Sequence, residues 1–532
     1  MSSYKSNPYT NTFNSIQSLN NIIDISDSNS LIQSEQIKDT FITKLYYYFI
    51  HKGYYNIIST QIVNIIITVF LYTFLLFLIN CVNYTGLFSL EESGNFSDYI
   101  NWNNILNLNF LGWACFGMFC VFIFCKLISL IDDAITFKKV RKYYNNRLYI
   151  TDSQLASMDW DSVVNKLKEE TDCKYLDVYY ISSKVMAKDN YLISLIDNQI
   201  LRFNYMTKLM EWNITFCIIN SIFLDNKVNL DLLTNKVKLK YIIVSKIKAV
   251  SIVNFLLMPI IIIFIFFYNT FKYGELFYNN PESIASRNWT LLSKWKFREY
   301  NELYHLFHER LTQSNKLAND YVNQFPMKIV ETFARLILFV TSSIFLLFIF
   351  LTIINENLLI NLNITNSRPI LWYIGILGSV IAITRSLIKN KLVFYPIQKM
   401  KDIQEIINYI PNSWVKDANK IYVKKEFTKL FEYQVISSFK EFFYIFKTPF
   451  DLWKISHNVD NIVDFFIENT IYESNLGYKC SDAIFNPNKD YDGGSLKNKI
   501  KQSFLNFEKK FPETMEKHFY NQSIQIKITN AF

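Results

Sequence analysis

Glycine, proline, cysteine and histidine are all scarce in this chain of 532 residues, with 11, 10, 7 and 5 copies respectively. None of the glycines falls in a GxxxxGK[ST] loop, which excludes a nucleotide site built on that phosphate cradle. The seven cysteines contain no CxxC pair, and Cys115, Cys120 and Cys125 lie inside an apolar stretch where a thiol behaves as a small hydrophobe. A zinc site or a disulfide scaffold is therefore not expected. All five histidines, His51, His305, His308, His457 and His518, fall outside the expected spans, which argues against an intramembrane metalloenzyme or a membrane acyltransferase. His305, His308 and Glu309 read HxxHE, neither the HExxH nor the HxxEH pattern of zinc peptidases, and fit a surface helix better. No metal, no cofactor and no covalent chemistry are expected.

Charge is thin as well, at 19% of residues. The net charge of +9 is spread in small groups, without a block of lysine or arginine of the kind that binds nucleic acid, so attraction to anionic lipid surfaces is the better use of it. What the chain has in quantity is apolar: 50% hydrophobic and 17% aromatic residues. A mean hydropathy of +0.09 lies between a soluble protein and a bundle of membrane helices. The fold class expected is mainly α, a polytopic membrane protein with a water-facing helical region and a few short strands.

Three runs reach the roughly twenty apolar residues needed to cross a bilayer: "IIITVFLYTFLLFLINCV", "ILNLNFLGWACFGMFCVFIFCKLISLI" and "TFARLILFVTSSIFLLFIFLTII". "ILWYIGILGSVIAITRSLI", 370–388, is just long enough for a fourth. The loop 83–104 carries Glu91, Glu92 and Asp98, no lysine or arginine, and sequons at Asn83 and Asn95, so it is expected to be lumenal. A third sequon, at Asn363, falls in the short turn between the third and fourth spans.

The apolar run 249–271 is a different case. If it crossed, the lysine- and arginine-rich segment 272–330 would be lumenal, against the positive-inside rule. Pro259 suggests that the run bends there and returns on the side it entered. The run around 436–455, with charges among its aromatics and a break at Pro449, is expected to dip into the cytosolic leaflet in the same way. Four spans and two re-entrant segments result. The expected organisation is a tail 1–40, two spans in 41–131, a cytosolic insert 132–248, a re-entrant segment 249–271 and amphipathic helices 272–330. Two further spans follow in 331–390, then cytosolic helices 391–435, a second re-entrant segment 436–456 and a cytosolic region 457–532. Within these, "KVNLDLLTNKVKLKYIIV" suggests a strand or hairpin, 497–510 an amphipathic helix and "SIQIKI" a short strand.

The stretch "SKWKFREYNELYHLFHERL", 293–311, crowds charge among aromatics. Phe297, Tyr300, Tyr304, Phe307 and Leu311 recur at helical steps, which makes Arg298 and Glu302 an i, i+4 pair on another face. Either this is an amphipathic helix with solvated charges, or Lys296, Arg298 and Glu302 line a wet cavity beside the bilayer. Arg385 either snorkels from the end of its span or, bordering the small-residue ridge Gly378, Ala382 and Ser386, faces protein beside Thr384.

"SRNWTLLSKWKFREYNELYHLFHERL", with "KDNYLISLI", "NPESIASR", "YIPNSW", "TPFDLW" and "NIVDFFIENT" in order, resembles the autophagy-related protein 9 family over roughly residues 40–510. The resemblance implies a passive phospholipid scramblase of autophagy, a domain-swapped homotrimer with four spans and two re-entrant helices per subunit. It also implies phospholipids, a bridge-like lipid-transfer protein and autophagy initiation factors as partners. The implied membranes are the phagophore, cytoplasmic vesicles, Golgi and endoplasmic reticulum. On that reading Lys296, Arg298, Glu302, Thr384 and Arg385 keep a headgroup path wet, and Asn279 and Asn280, where relatives often carry charge, make part of it polar but neutral. Tyr395, Asn412 and Ser413 also depart from the family pattern, and contacts that depend on a long tail after Phe532 are expected to be missing.

Overall fold

The computed structural model describes residues 39–88, 95–171, 176–224, 226–279, 286–325, 328–365, 368–388, 394–407, 410–473, 476–485 and 495–512. Asn280 and the "SIQIKI" segment lie outside the described residues. The architecture is helical, with short two-stranded pairings.

Helix α1, Asp39–Ile50, turns into α2, Tyr54–Asn80, at Gly53, whose φ is 115°. A Cβ there would stand 3.1 Å from Asp152, so the backbone angle and the close approach both require glycine. Helix α3, Phe110–Asn146, runs antiparallel to α2: Gln61 donates to Asp133 (2.9 Å) at one end, Tyr72 stacks on Phe119 midway, and Asn80 reaches the Ile105 carbonyl (3.4 Å) at the other. The boundary expected at 131 falls inside α3, because the helix continues past its apolar part with Phe137, Val140 and Tyr144 buried in the body.

The insert that follows is wound from short helices. Thr151 and Gln154 form a capping box at the start of one of them, satisfying two otherwise unbonded backbone N–H groups. Another, α4, Ala187–Asp197, is buried from Asn190 through Ile196. The hairpin expected in "KVNLDLLTNKVKLKYIIV" reduces to Phe223–Leu224 paired with Lys227–Val228. The rest is helix, because Leu239, Ile243 and Ile247 recur every four residues and all point into the core.

Those residues belong to α5, Lys236–Asn279, a single helix of 44 residues containing Pro259. The chain does not reverse at Pro259 as expected: a proline removes one backbone bond and tilts the axis, whereas unwinding in an apolar run would expose several. The two flanks of the run nevertheless meet. Leu239, Ile243 and Ile247 before it and Leu292, Trp295, Tyr300 and Leu303 after it share one hydrophobic cluster.

After α5 come α6, Leu291–Phe297, and α7, Tyr304–Asn323. Helices α8, Lys328–Ile354, and α9, Ile370–Leu387, form a pair joined through a small hairpin at Asn363–Thr365 and Arg368–Pro369. The position a Gly378 Cβ would take lies 3.8 Å from Phe345, so at least that member of the small-residue ridge faces α8. Helix α10, Pro396–Ile407, packs on α7. Helix α11, Gln434–Ser456, continues through Pro449 and lies antiparallel on α5: Phe266 meets Phe442, Ser251 donates to the Pro449 carbonyl (2.6 Å), and Lys240 pairs with Asp460. Asp460 begins α12, Val459–Glu468, and the chain described ends with α13, Ser495–Lys510, at the place where an amphipathic helix is expected.

Four helices among the described residues are long and apolar enough to cross a membrane: Tyr54–Cys81, Gly112–Asn146, Lys236–Phe271 and Ile329–Ile354. Ile370–Arg385 is shorter. The third of these is the run expected to re-enter, and the shorter one is the expected fourth span.

Candidate functional site

The signature stretch is not one helix. Helix α6 stops at Phe297, Arg298 turns into an extended conformation, and α7 starts only at Tyr304. Arg298 and Glu302 are therefore not an i, i+4 helical pair. Between them Asn301 has φ of 56°, a left-handed angle that asparagine tolerates better than most residues.

Each charge in the turn has a distant partner. Arg298 pairs with Asp189 of α4 at 3.0 Å and lies over the Trp295 ring. Asn190 and Asn301 interlock, with the Asn190 amide donating to the Asn301 side chain (2.9 Å) and the Asn301 N–H donating back (3.0 Å); Asn301 also donates to the Ala483 carbonyl (2.7 Å). Glu302 accepts a two-pronged bond from Arg310 at 2.8 and 2.6 Å, and Arg310 also donates to the Phe297 and Ile406 carbonyls. Burial works against the Arg310 charge, but Glu302 and Glu299 outweigh it and raise its pKa.

About two helical turns further along α4, Asp197 meets Lys499 of α13 at 2.7 Å, and the Lys499 and Asp197 side chains are enclosed, at 2% and 3% exposure. Burial raises the pKa of Asp197 and lowers that of Lys499, while each partner opposes the shift of the other. Lys499 also donates to the Lys296 carbonyl (2.9 Å), and Asp197 accepts from Tyr300 (3.3 Å). A cavity of about 380 Å³ opens beside this network, lined in part by Glu299, Glu302, Glu309, Arg310, Glu405 and Lys510. Among the described residues no group of three or more His, Cys, Asp or Glu side chains is arranged to hold a metal.

Lys296, Arg298 and Glu302 are thus brought to one turn, but only Glu302 lines the cavity; Arg298 and Glu302 are buried in ion pairs, and Lys296 is half-buried. Thr384 and Arg385 lie on α9, and no hydrogen bond or ion pair among the described residues joins them to the turn. Thr384 is buried and returns its hydroxyl to the Val380 carbonyl (2.6 Å); Arg385 is exposed and has no ion-pair partner among the described residues. Asn279 ends α5. Asn83, Asn95 and Asn363 are all exposed, and Thr85 donates its hydroxyl to Asn83 (2.7 Å) within the first sequon. The sequence gives no spacing signal for Asp189, Asp197, Glu299, Arg310 and Lys499 as partners, although Asp189 and Asn190 stand in the motif "KDNYLISLI".

Comparison with known proteins decides the family. A family model described as autophagy protein ATG9 matches residues 34–486. The chain belongs to the ATG9 family. Among its ATG9 relatives, autophagy-related protein 9 of Dictyostelium discoideum is 31% identical over 520 residues, covering 89% of this chain and 72% of that protein. The Saccharomyces cerevisiae relative is 30% identical, over 86% of this chain and 48% of its own length, so the chain spans about half the length of that protein. The cryo-EM structure of Schizosaccharomyces pombe Atg9 superposes with a TM-score of 0.64 at 28% identity, covering 84% of this chain and 98% of that one. The chain is therefore a member of an autophagy protein family, with four helices among its described residues long and apolar enough to cross a membrane.

Proposed function

We propose that the chain is a passive phospholipid scramblase of autophagosome formation, which equilibrates lipid between the leaflets of the growing isolation membrane and of the vesicles that seed it. It works as a homotrimer, alongside a bridge-like lipid-transfer protein and autophagy initiation factors, on phagophore, vesicle, Golgi and endoplasmic reticulum membranes. The observation that carries the reading is Arg385, an exposed cation without an ion-pair partner among the described residues, on an otherwise uncharged helix of 18 residues. A charge costs at least about 2.5 to 3.5 kcal/mol at the centre of a bilayer and less toward its faces, so Arg385, two residues before the end of α9, fits a water-lined wall at one mouth of the path. The shared cluster at the two flanks of the α5 run supports keeping both flanks on one side of the bilayer.

A second reading, a scaffold that marks vesicles and recruits other factors, draws on the burial of Arg298 and Glu302 in ion pairs, which gives those charges a structural role. Liposomes carrying a quenchable fluorescent lipid separate the two. A scramblase exposes inner-leaflet lipid to the quencher, and no acceleration over protein-free vesicles leaves only scaffolding. Lys296→Leu and Arg385→Leu together are expected to slow the exchange while the oligomer persists; unchanged exchange removes both residues from the path.

A further inference from the structure

We infer that the cleft between residues 198–205 and the helices α11 and α12 is a binding site for the phosphodiester and ammonium groups of a phospholipid. This rests on the lipid-handling reading above and gives it a place of contact.

The cleft holds about 1070 Å³ and its walls differ in charge. Lys447 and Lys454 of α11, with Arg202 from the facing loop, supply cations; Asp464 and Glu468 of α12, four residues apart and so on one helical face, supply carboxylates. Some of these are already engaged. Asp464 pairs with Lys236, and Lys447 stands 3.7 Å from Asp451. Arg202, Lys454 and Glu468 have no ion-pair partner among the described residues. Among the described residues Arg202 bonds its own loop, through Nε to the Gln199 carbonyl (3.0 Å), which leaves its terminal nitrogens for an acceptor. A headgroup with a phosphate at one end and an ammonium at the other matches two walls of opposite sign.

A free phosphodiester would satisfy the same groups, and the surroundings of the cleft favour the lipid. Helix α11 exposes Phe446, Phe450 and Trp453 immediately beside Lys447 and Lys454. Tryptophan and tyrosine next to lysine form the pattern found at the level of lipid headgroups. Tyr205 of the facing loop and Tyr444 of α11, with ring centres 4.8 Å apart, line the cleft from its two sides. The acyl chains can therefore lie along the aromatic face while the headgroup occupies the cleft.

The test uses the 532-residue chain in liposomes with phosphatidylcholine carrying a diazirine beside the glycerol, the adducts being mapped by peptide mass spectrometry. Adducts are expected in 198–205 and 444–461. Arg202→Glu with Lys454→Glu is expected to lower them about fivefold, since two charge-assisted contacts become repulsive. Glu468→Lys is expected to shift labelling from phosphatidylcholine toward phosphatidic acid, a gain that misfolding cannot produce. Three outcomes overturn the site: no adduct in the unaltered protein, unchanged labelling in the double variant, or equal labelling by a tail-less glycerophosphocholine probe, which would make it a site for soluble phosphodiesters. Scrambling measured in the same vesicles separates the two claims: labelling without scrambling removes the proposed function and keeps the site, and scrambling without labelling does the reverse.

Discussion

Lys499→Met is the most informative single change. It removes a buried ammonium and leaves Asp197, 3% exposed, with the Tyr300 hydroxyl at 3.3 Å as its remaining side-chain donor among the described residues. Breaking one side of a buried ion pair costs about 3 to 5 kcal/mol, most of it the penalty of the charge left behind. On an opening equilibrium that is about two to three and a half orders of magnitude. The loss falls on α13, because Lys499 is its link both to α4 through Asp197 and to α6 through the Lys296 carbonyl. Hydrogen exchange of peptides from 495–510 in detergent reads it directly, and protection is expected to fall by that factor or to the limit of local unfolding. The double variant Asp197→Leu, Lys499→Met is expected to recover most of the protection, since an apolar pair of similar volume pays no desolvation. Unchanged exchange in Lys499→Met, or a double variant as labile as the single one, would refute the argument.

Arg310→Lys keeps the charge but loses the planar fork that serves Glu302, Phe297 and Ile406 together, so a stability loss of about 1 to 3 kcal/mol is expected by denaturant titration, with Arg310→Met worse. His305 is held neutral by burial, which pushes its pKa down to about 4 from 6.5, beside the Tyr46 hydroxyl at 2.9 Å. The folded form therefore binds fewer protons in that window, and stability is expected to fall as pH drops from about 6.5 toward about 4 and to be indifferent above it. His305→Phe should flatten that slope in a melting series against pH. Gly53→Ala is expected to cost about 1 to 3 kcal/mol, through the left-handed angle and the crowding against Asp152, measured as a lower melting temperature.

The long helices were legible because length and apolarity are local properties: α2, α3 and α8 stand where their runs stand. The fold of the insert was less so, and the helical part of "KVKLKYIIV" reads as a strand until Leu239, Ile243 and Ile247 are seen to share a buried face. In the signature the periodicity misled. Phe297, Tyr300, Phe307 and Leu311 are all buried, as a continuous apolar stripe requires, but Phe297 of α6 and Phe307 and Leu311 of α7 enter one cluster, while Tyr300, in the break at 298–303, enters another. Tyr304, the remaining member of the stripe, is exposed. What sequence could not supply is the pairing of Arg298 with Asp189, 109 positions earlier, or of Lys499 with Asp197, because neither spacing belongs to any local element.

The placement of these charges follows from how little the long helices pack within one chain. Of the four apolar helices, two bury no residue of their most apolar window and two bury 11% of it. Side-chain packing between paired helices therefore fixes their directions only in part, and the joints to the body supply the rest. Those roots are close to the polar network: Leu239 through Ile247 at the start of α5 share the cluster of Tyr300 and Leu303, and Phe431 ahead of α11 shares that of Phe297 and Phe307. Arg310 ties α7 to α10 at Ile406, and Lys499 ties α13 to both α4 and α6. The passive lipid path proposed above calls for a cavity that keeps a defined shape. Buried, mutually satisfied charges at the roots of otherwise loosely packed helices hold such a shape through direction-specific bonds, which an equally apolar joint would not provide.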